Sequence, residues 1–233
     1  MKDNCYVYHQ FTEDTLYQRI AEELVDGKVI GLFQGRMEFG PRALGNRSII
    51  ADARSEQMQV KLNKKIKFRE SFRPFAPSVL KEDVAEYFEL DDESPYMLLV
   101  EKVCERRRKT VTVQEDLKKY HNNMLEIVKQ KRSDIPAVTH IDYSARIQTV
   151  SKDTNPYYYK VIEEFKKLTG CSVIVNTSFN VRGEPIVCTP QNAYECFMRT
   201  DMDVLVLENY ILYKEEQPEW NETEDWRQLY TLD

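Results

Sequence analysis

Val29-Ile30-Gly31-Leu32-Phe33 runs directly into Gln34-Gly35-Arg36-Met37-Glu38-Phe39-Gly40-Pro41-Arg42-Ala43-Leu44-Gly45-Asn46-Arg47-Ser48. The first five residues form a short apolar run with β-branched members, which reads as a buried strand. The three glycines that follow it let the backbone turn tightly and approach a ligand closely. The three arginines offer planar forks for phosphate or carboxylate. The spacing fits neither G-x-x-x-x-G-K-[ST] nor G-x-G-x-x-G. The stretch is therefore either an anion site of another kind or a basic surface turn.

Working outward, Leu16, Ile20 and Leu24 repeat at helical spacing over Glu13 to Asp26, with Thr12 as a cap and Gly27 at the C-terminal stop. Downstream, Ser55 is placed to cap a helix that turns Met58, Leu62 and Ile66 inward and Lys61, Lys64 and Lys65 outward. Pro74 and Pro77 stop any helix, so Lys67 to Pro77 reads as extended chain leading to a strand at Ser78 to Leu80. Alternation then puts Lys67, Arg69, Ser71 and Arg73 on one face and Phe68, Glu70 and Phe72 on the other. Three cations on one face repel one another unless an anion or acid joins them.

Lys81 to Phe88 reads as a short helix, Tyr96 to Val100 as a strand and Glu115 to about Lys131 as a helix. The basic run Arg106-Arg107-Arg108-Lys109 is a solvated face or a docking patch. Ala137 to Ile141 and Arg146 to Val150 read as strands joined by Asp142-Tyr143-Ser144-Ala145, with Arg146 and Gln148 on a shared face. Pro156 opens a helix through Leu168, closed by Gly170. The apolar run Cys171 to Val175 is a central buried strand that ends in Asn176-Thr177-Ser178-Phe179-Asn180. Small polar groups just past a buried strand are where open α/β sheets hold ligands, unless they only satisfy their own turn. Thr189-Pro190 opens a helix over Gln191 to Met198, and Val204 to Leu207 with Tyr210 to Tyr213 form a hairpin. The alternation of strands and helices predicts one α/β domain over 1–233 with a mixed sheet. Residues 101–135 are expected as a helical insertion and 214–233 as an acidic tail.

The net charge of −6 over 233 residues argues against general nucleic-acid binding. The charge is uneven: residues 35–73 hold ten Lys and Arg against four acids, and the tail from Lys214 holds seven acids against two basic residues. A basic focus on an acidic protein suits a small polyanion. No apolar run reaches the ~18 residues of a membrane span, and the N-terminus has no apolar signal core. The five cysteines form no C-x-x-C pair, which points to reduced thiols and a cytoplasmic setting. The three histidines form no metal-binding pair, so no metal site is expected. No G-x-S-x-G elbow is present, and Ser178 has no obvious base. What remains is a set of Arg, Lys, Ser and Asn suited to phosphoryl or acyl-phosphate chemistry, in which positioning and charge neutralisation dominate.

Several of these segments, in this order, resemble the C-terminal domain of the O-carbamoyltransferases of the antibiotic and nodulation-factor type. They are Gly35 to Ser48, Phe68-Arg69-Glu70 with Phe72 to Pro77, Pro136 to His140, Asp142 with Ser144 to Val150, and Asn176 to Asn180 with Gly183 to Val187. The resemblance implies a YrdC-like fold: a twisted mixed β-sheet with flanking helices and a basic central groove. It further implies binding of ATP and carbamoyl phosphate, with Mg²⁺ on the phosphates, and formation of carbamoyl-adenylate. A Kae1-like transferase domain or subunit, as partner, would then pass the carbamoyl group to a hydroxyl. By motif, Lys67, Arg73 and Arg146 would hold the phosphates and serve catalysis, and Ser178 and Asn180 would contact the nucleotide. Arg69, Thr139, Arg36 and Arg42 complete the implied binding set, and Arg36, Glu38, Arg42 and Arg47, in the family signature, are expected to brace the groove or meet the partner domain. Tyr143 stands where the family usually has glycine, so a reshaped turn is expected there. The alternative is a non-catalytic nucleotide- or partner-binding module of a split carbamoyltransferase.

Overall fold

The computed structural model describes residues 6–110 and 130–220. Nearly all of the helix expected over 115–131, and the far part of the acidic tail with Trp226, lie outside the described residues. Within them, the main sheet has eight strands. Its spatial order is β1 (His9–Gln10), β10 (Tyr210–Tyr213), β9 (Val204–Leu207), β2 (Ile30–Phe33), β3 (Arg47–Asp52), β8 (Val173–Ser178), β4 (Ala76–Leu80) and β7 (Gln148–Val150). The β9–β2 and β4–β7 pairs are parallel and the other neighbours antiparallel, so the sheet is mixed, as expected. A second sheet pairs β5 (Val100–Lys102) with β6 (Ser144–Arg146).

The helices are α1 (Glu13–Val25), α2 (Met58–Lys61), α3 (Val84–Tyr87), α4 (Pro156–Thr169) and α5 (Pro190–Met198). Helices α1 and α4 lie side by side. The stripe of Leu16, Ile20 and Leu24 on α1 and that of Tyr158, Val161, Ile162 and Phe165 on α4 are almost wholly buried. Each such side chain contributes roughly 1.5–3 kcal/mol by leaving water. Gly170 ends α4 in the left-handed region at φ 73°, and a reciprocal Thr189–Asn192 capping box starts α5.

Several local expectations are corrected. Thr12 precedes α1, but its hydroxyl meets that of Thr15 at 3.0 Å and caps no backbone amide. Gln57, not Ser55, is the residue before α2, and α2 runs on as a π-helical turn over Leu62–Ile66. The stretch 67–75 is not extended. Phe68 has φ 47°, and the carboxamide of Asn63 draws the chain into a turn by donating to the carbonyls of Ser71 (3.1 Å) and Arg73 (2.8 Å). The predicted two-face alternation from Lys67 to Arg73 therefore does not form.

Ala137 to Ile141 is not a strand. Pro136 starts a 3₁₀ turn over Pro136–Val138, and the Thr139 hydroxyl donates back to the Ile135 carbonyl at 2.9 Å. The expected strand from Arg146 to Val150 divides at Ile147. Arg146 belongs to the small sheet and Gln148 to the large one. Of Tyr96 to Val100, only Val100 is in a strand, because Met97 turns the chain with φ 56°. Tyr143 takes φ 67°, a left-handed conformation that favours glycine. Arg106 and Arg107 donate to carbonyls of the 85–86 segment, and Arg107 lies 3.8 Å from the Tyr87 ring centroid. This part of the basic run is a structural clasp.

Candidate functional site

The Gly/Arg stretch is the connection between β2 and β3, a hairpin whose second strand was not evident in the sequence. Gly45 is obligatory in it: its φ is +111°, and a Cβ there would sit 2.3 Å from Cδ1 of the buried Tyr158 ring. The Glu38 carboxylate ties the loop to itself, with Oε1 accepting from the amides of Leu44 and Asn46 at 2.8 Å each. Arg47, 5% exposed, stacks 3.5 Å from the Phe33 ring centroid. Its guanidinium donates to the carbonyls of Gln34 (2.8 Å), Gly35 (3.2 Å) and Asn46 (2.9 Å). Burial pushes the pKa of Arg47 down, the cost of holding a cation among carbonyls. Most of the loop is thus a brace, and only its Pro41-Arg42-Ala43 segment enters the groove.

The opposite wall comes from the end of β8. Phe179 is fully buried and reaches Gly31 on β2, where a Cβ would lie 2.5 Å from its ring. Its amide donates to the Arg47 carbonyl at 2.9 Å. Anchoring Phe179 inward leaves Ser178 and Asn180, on either side of it, facing the groove. The Ser178 hydroxyl donates to Asn180 Oδ1 at 2.7 Å, and Asn180 Nδ2 donates to the Glu184 carbonyl at 2.7 Å.

Lys67 lies beneath this turn and is 3% exposed. Its Nζ donates to the carbonyls of Ser178 (2.5 Å) and Asn180 (2.9 Å) and to Asn180 Oδ1 (2.8 Å). Its three N–H donors are matched by three protein oxygens, so Lys67 organises the Ser178–Asn180 turn. Burial is the main force lowering its pKa to about 7, with Arg69 acting in the same direction.

Two adjoining hollows of about 160 and 260 Å³ make up the groove, and they share Arg69, Thr177 and Ser178. Together they fall within the ~300–1,000 Å³ usual for a small-molecule site. The smaller is lined by Arg42, Arg69 and Arg146, and no carboxylate lines it. The larger adds Lys67, Arg73, Asn180 and Arg182, with Glu184. Asn63 holds Arg69 in place, its Oδ1 accepting from Arg69 Nε at 2.7 Å. Burial and the neighbouring Arg73 push Arg69 down to about 10. Burial and Arg42 likewise lower Arg146, whose Nε is buried with no partner among the described residues. Arg73 is more exposed and pairs with Glu70 at 3.0 Å. Arg42, Arg69 and Arg146 thus meet in the smaller hollow with no carboxylate lining it, an arrangement whose chemistry suits an anion with several charged oxygens.

Of the residues singled out in the sequence, the structure gathers Lys67, Arg69, Arg73, Arg42, Arg146, Ser178 and Asn180 around this groove. It places Arg36 and Thr139 elsewhere. Arg36 is exposed and its carbonyl accepts from Asn46 Nδ2, while the Thr139 hydroxyl is engaged by Ser133 and Ile135. Sequence reasoning missed Asn63, and it placed Asn176 in the polar segment without its bracing role. Asn176 is 1% exposed and donates to the Ala43 carbonyl (3.0 Å) and to Gln148 Oε1 (2.7 Å), fastening the brace loop to the central strands. Gln148 lines a different cavity from Arg146, behind this wall. A buried asparagine in an apolar helix face is the signal that could have revealed Asn63. Among the described residues, no group of three or more His, Cys, Asp or Glu is placed to hold a metal, and no helix is long and apolar enough to cross a membrane.

Comparison with solved structures matches the fold. Full-length HypF in its phosphate- and nucleotide-bound form superimposes with a TM-score of 0.51 at 19% identity, covering 84% of this chain and 25% of that one. HypF from T. kodakarensis gives a TM-score of 0.51 at 16% identity, covering 94% and 24%. Both likenesses bear on fold alone, and that fold is YrdC-like.

Among curated proteins, the uncharacterized protein sll1178 of Synechocystis is 55% identical over 97% of this chain and 36% of its own length. The nodulation protein NolNO of Sinorhizobium fredii is 42% identical over 93% of this chain and 28% of its own. A 3'-hydroxymethylcephem-O-carbamoyltransferase of Streptomyces clavuligerus is 36% identical over 72% and 27%. The chain thus spans about a third of the length of these relatives. The family model described as the carbamoyltransferase C-terminus matches residues 21–214. This chain belongs to the carbamoyltransferase C-terminal family, and its fold is YrdC-like.

Proposed function

We propose that the groove binds ATP and carbamoyl phosphate and forms carbamoyl-adenylate for transfer to a hydroxyl acceptor. The observation that carries this reading is the cluster of Arg42, Arg69 and Arg146, unaccompanied by any lining carboxylate, beside Ser178. Water cleaves carbamoyl phosphate to carbamate and inorganic phosphate. A carbamate oxygen then attacks the α-phosphorus of ATP, the bond to the β-phosphate oxygen breaks, and pyrophosphate leaves. The guanidinium groups neutralise the phosphate oxygens, while the Ser178 hydroxyl and the Asn180 amide orient the nucleotide. Such work is positioning and electrostatics, and it needs no protein nucleophile. Mg²⁺ would sit on the nucleotide phosphates and supply further charge neutralisation, without a dedicated protein cage.

The hydroxyl acceptor, and the Kae1-like transferase domain or subunit that would hold it, are part of the same proposal. They are supported by the naming of two relatives as 3'-hydroxymethylcephem-O-carbamoyltransferases and by the chain's coverage of about a third or less of their length. Phosphorus NMR of the chain with ATP, carbamoyl phosphate and Mg²⁺ tests the reading. Equal amounts of a new adenylate resonance and pyrophosphate are expected. ATP that is bound but unchanged, with or without the remainder of a relative's chain, would leave a non-catalytic nucleotide-binding module instead.

A further inference from the structure

A separate cavity of about 390 Å³ lies behind the groove wall. That volume is within the range usual for a small-molecule site. In the brace loop, Ala43 lines the groove and Leu44 the cavity. Across the break at Ile147, Arg146 faces the groove and Gln148 the cavity. The two sides of the wall differ in charge. Among the described residues, three arginines and no carboxylate line the smaller groove hollow, whereas Glu38, Glu93 and Asp153 line the cavity with Lys81 as its one cation. Lys81 is paired with Glu93, so the carboxylates of Glu38 and Asp153 leave the cavity with an excess of negative charge.

Glu38 is the deeper acid. Its Oε1 is engaged by the amides of Leu44 and Asn46, and its Oε2 is buried with no partner among the described residues. The carboxamides lining the cavity donate elsewhere: Asn46 Nδ2 to the Arg36 carbonyl (2.6 Å), Asn155 Nδ2 to Asn46 Oδ1 (2.9 Å) and Gln148 Nε2 to the Leu44 carbonyl (2.8 Å). A buried carboxylate oxygen without a donor is unfavourable, and an ammonium group supplies both the hydrogen bond and the opposite charge. A single water fills only ~30 Å³ and brings no charge. Among the described residues, no group of acids, histidines and cysteines is placed to hold a metal there. At the mouth, Asp153 is exposed and the Glu93 side chain is 48% exposed. Leu44, Pro95, Tyr96 and Val150 give the lining its apolar surface. One acid at the floor, acids at the mouth and apolar side chains along the wall match a chain of methylenes with an ammonium at each end.

We infer that this cavity is a binding site for a linear aliphatic diamine or polyamine, with one ammonium on Glu38 Oε2 and another at the Asp153 end. The ligand completes the hydrogen bonding of the carboxylate that ties the brace loop together, and so holds that loop from behind. The arginine-lined groove would repel the same ligand, so the two sites are chemically distinct, and the cavity keeps its preference whatever the groove binds.

Calorimetric titration of the chain with spermidine, in about 150 mM NaCl and without nucleotide, tests the inference. The wild-type chain is expected to bind spermidine at a single site. Glu38→Gln is expected to bind it roughly tenfold more weakly or worse, because the new carboxamide keeps the Oε1 contacts and puts its own NH₂ where the ammonium would sit. The neutral chain 1,8-octanediol, of similar length, should not bind. Intermolecular NOEs are expected from the spermidine methylenes to the Tyr96 ring and the Val150 methyls. No binding by the wild type overturns the inference. Equal affinity in the wild type and Glu38→Gln, or NOEs to other residues alone, also overturns it, since the net charge of −6 would then be gathering the amine on the surface. Loss of spermidine binding when K⁺ replaces Na⁺ at the same ionic strength overturns it too, by making an inorganic cation the occupant. Thr154→Trp, at the exposed mouth of the cavity, gives a reading that does not depend on the fold of the Glu38 variant. It is expected to block spermidine with Tm unchanged, and unchanged affinity in it overturns the inference.

Discussion

Lys67 and Arg146 carry opposite kinds of work in one groove. The sequence pattern gave them the same role, since both were cations at family motif positions. Lys67 spends its donors on Ser178 and Asn180. Its replacement by Met is expected to leave three buried acceptors unmatched and to cost roughly 1–3 kcal/mol of stability or more, read as a clear drop in Tm together with weaker ATP binding. Arg146 faces the hollow with its Nε buried and unpartnered among the described residues. Arg146→Ala is expected to weaken ATP binding roughly 10- to 100-fold, as loss of a charge-assisted contact would, with Tm nearly unchanged.

The Lys67 amine also sets a pH dependence. Its pKa in the fold is about 7 and its ordinary value is 10.5. Between these values the unfolded chain holds a proton that the folded chain lacks, so stability from this group rises with pH across that window. The Tm difference between wild type and Lys67→Met is expected to widen from pH 7 to pH 10, and a constant difference would contradict this. The residue types at the site were legible in the sequence because charge and small polar groups cluster there. The division of labour was not, because it depends on a lysine reaching residues more than a hundred positions away.

At the scale of elements, the groove depends on two close approaches. Gly31 on β2 admits the Phe179 ring, and Gly45 in the brace loop admits Tyr158. Gly31→Ala is expected to displace Phe179 and with it Ser178 and Asn180. Overpacking of this kind costs about 1–3 kcal/mol, and ATP affinity should fall in parallel with Tm. Retained affinity would show that the turn is not held from below. Strands β8, β9 and β10 and helices α1 and α4 were close to legible in the sequence, since each has a clean apolar period and local stop signals. Strand β3 was not, because it begins with Arg47 and Ser48, polar residues that are buried only by stacking and by pairing with β8. The stretch from Lys67 to Arg73 failed as an alternating strand for a related reason. Its path is held by two carboxamides, the buried Asn63 and Gln59, which donate to carbonyls of residues 71–73, and such hydrogen bonds leave no period in the sequence.

At the scale of the molecule, an acidic chain concentrates its cations where β3, β4 and β8 meet the brace loop and the small sheet. The large sheet supplies the rigid floor, and the loops supply the groups that would meet phosphate. The mixed α/β architecture was legible in the alternation of elements. The strand order was not, because β9 inserts beside β2 only through tertiary pairing. The central claim is that this groove activates a carbamoyl group on AMP, and exchange of labelled pyrophosphate into ATP tests it most directly. Exchange that requires carbamoyl phosphate and is lost in Arg146→Ala is the predicted result. Exchange absent from the wild-type chain, both alone and joined to the remainder of a relative, would contradict the account.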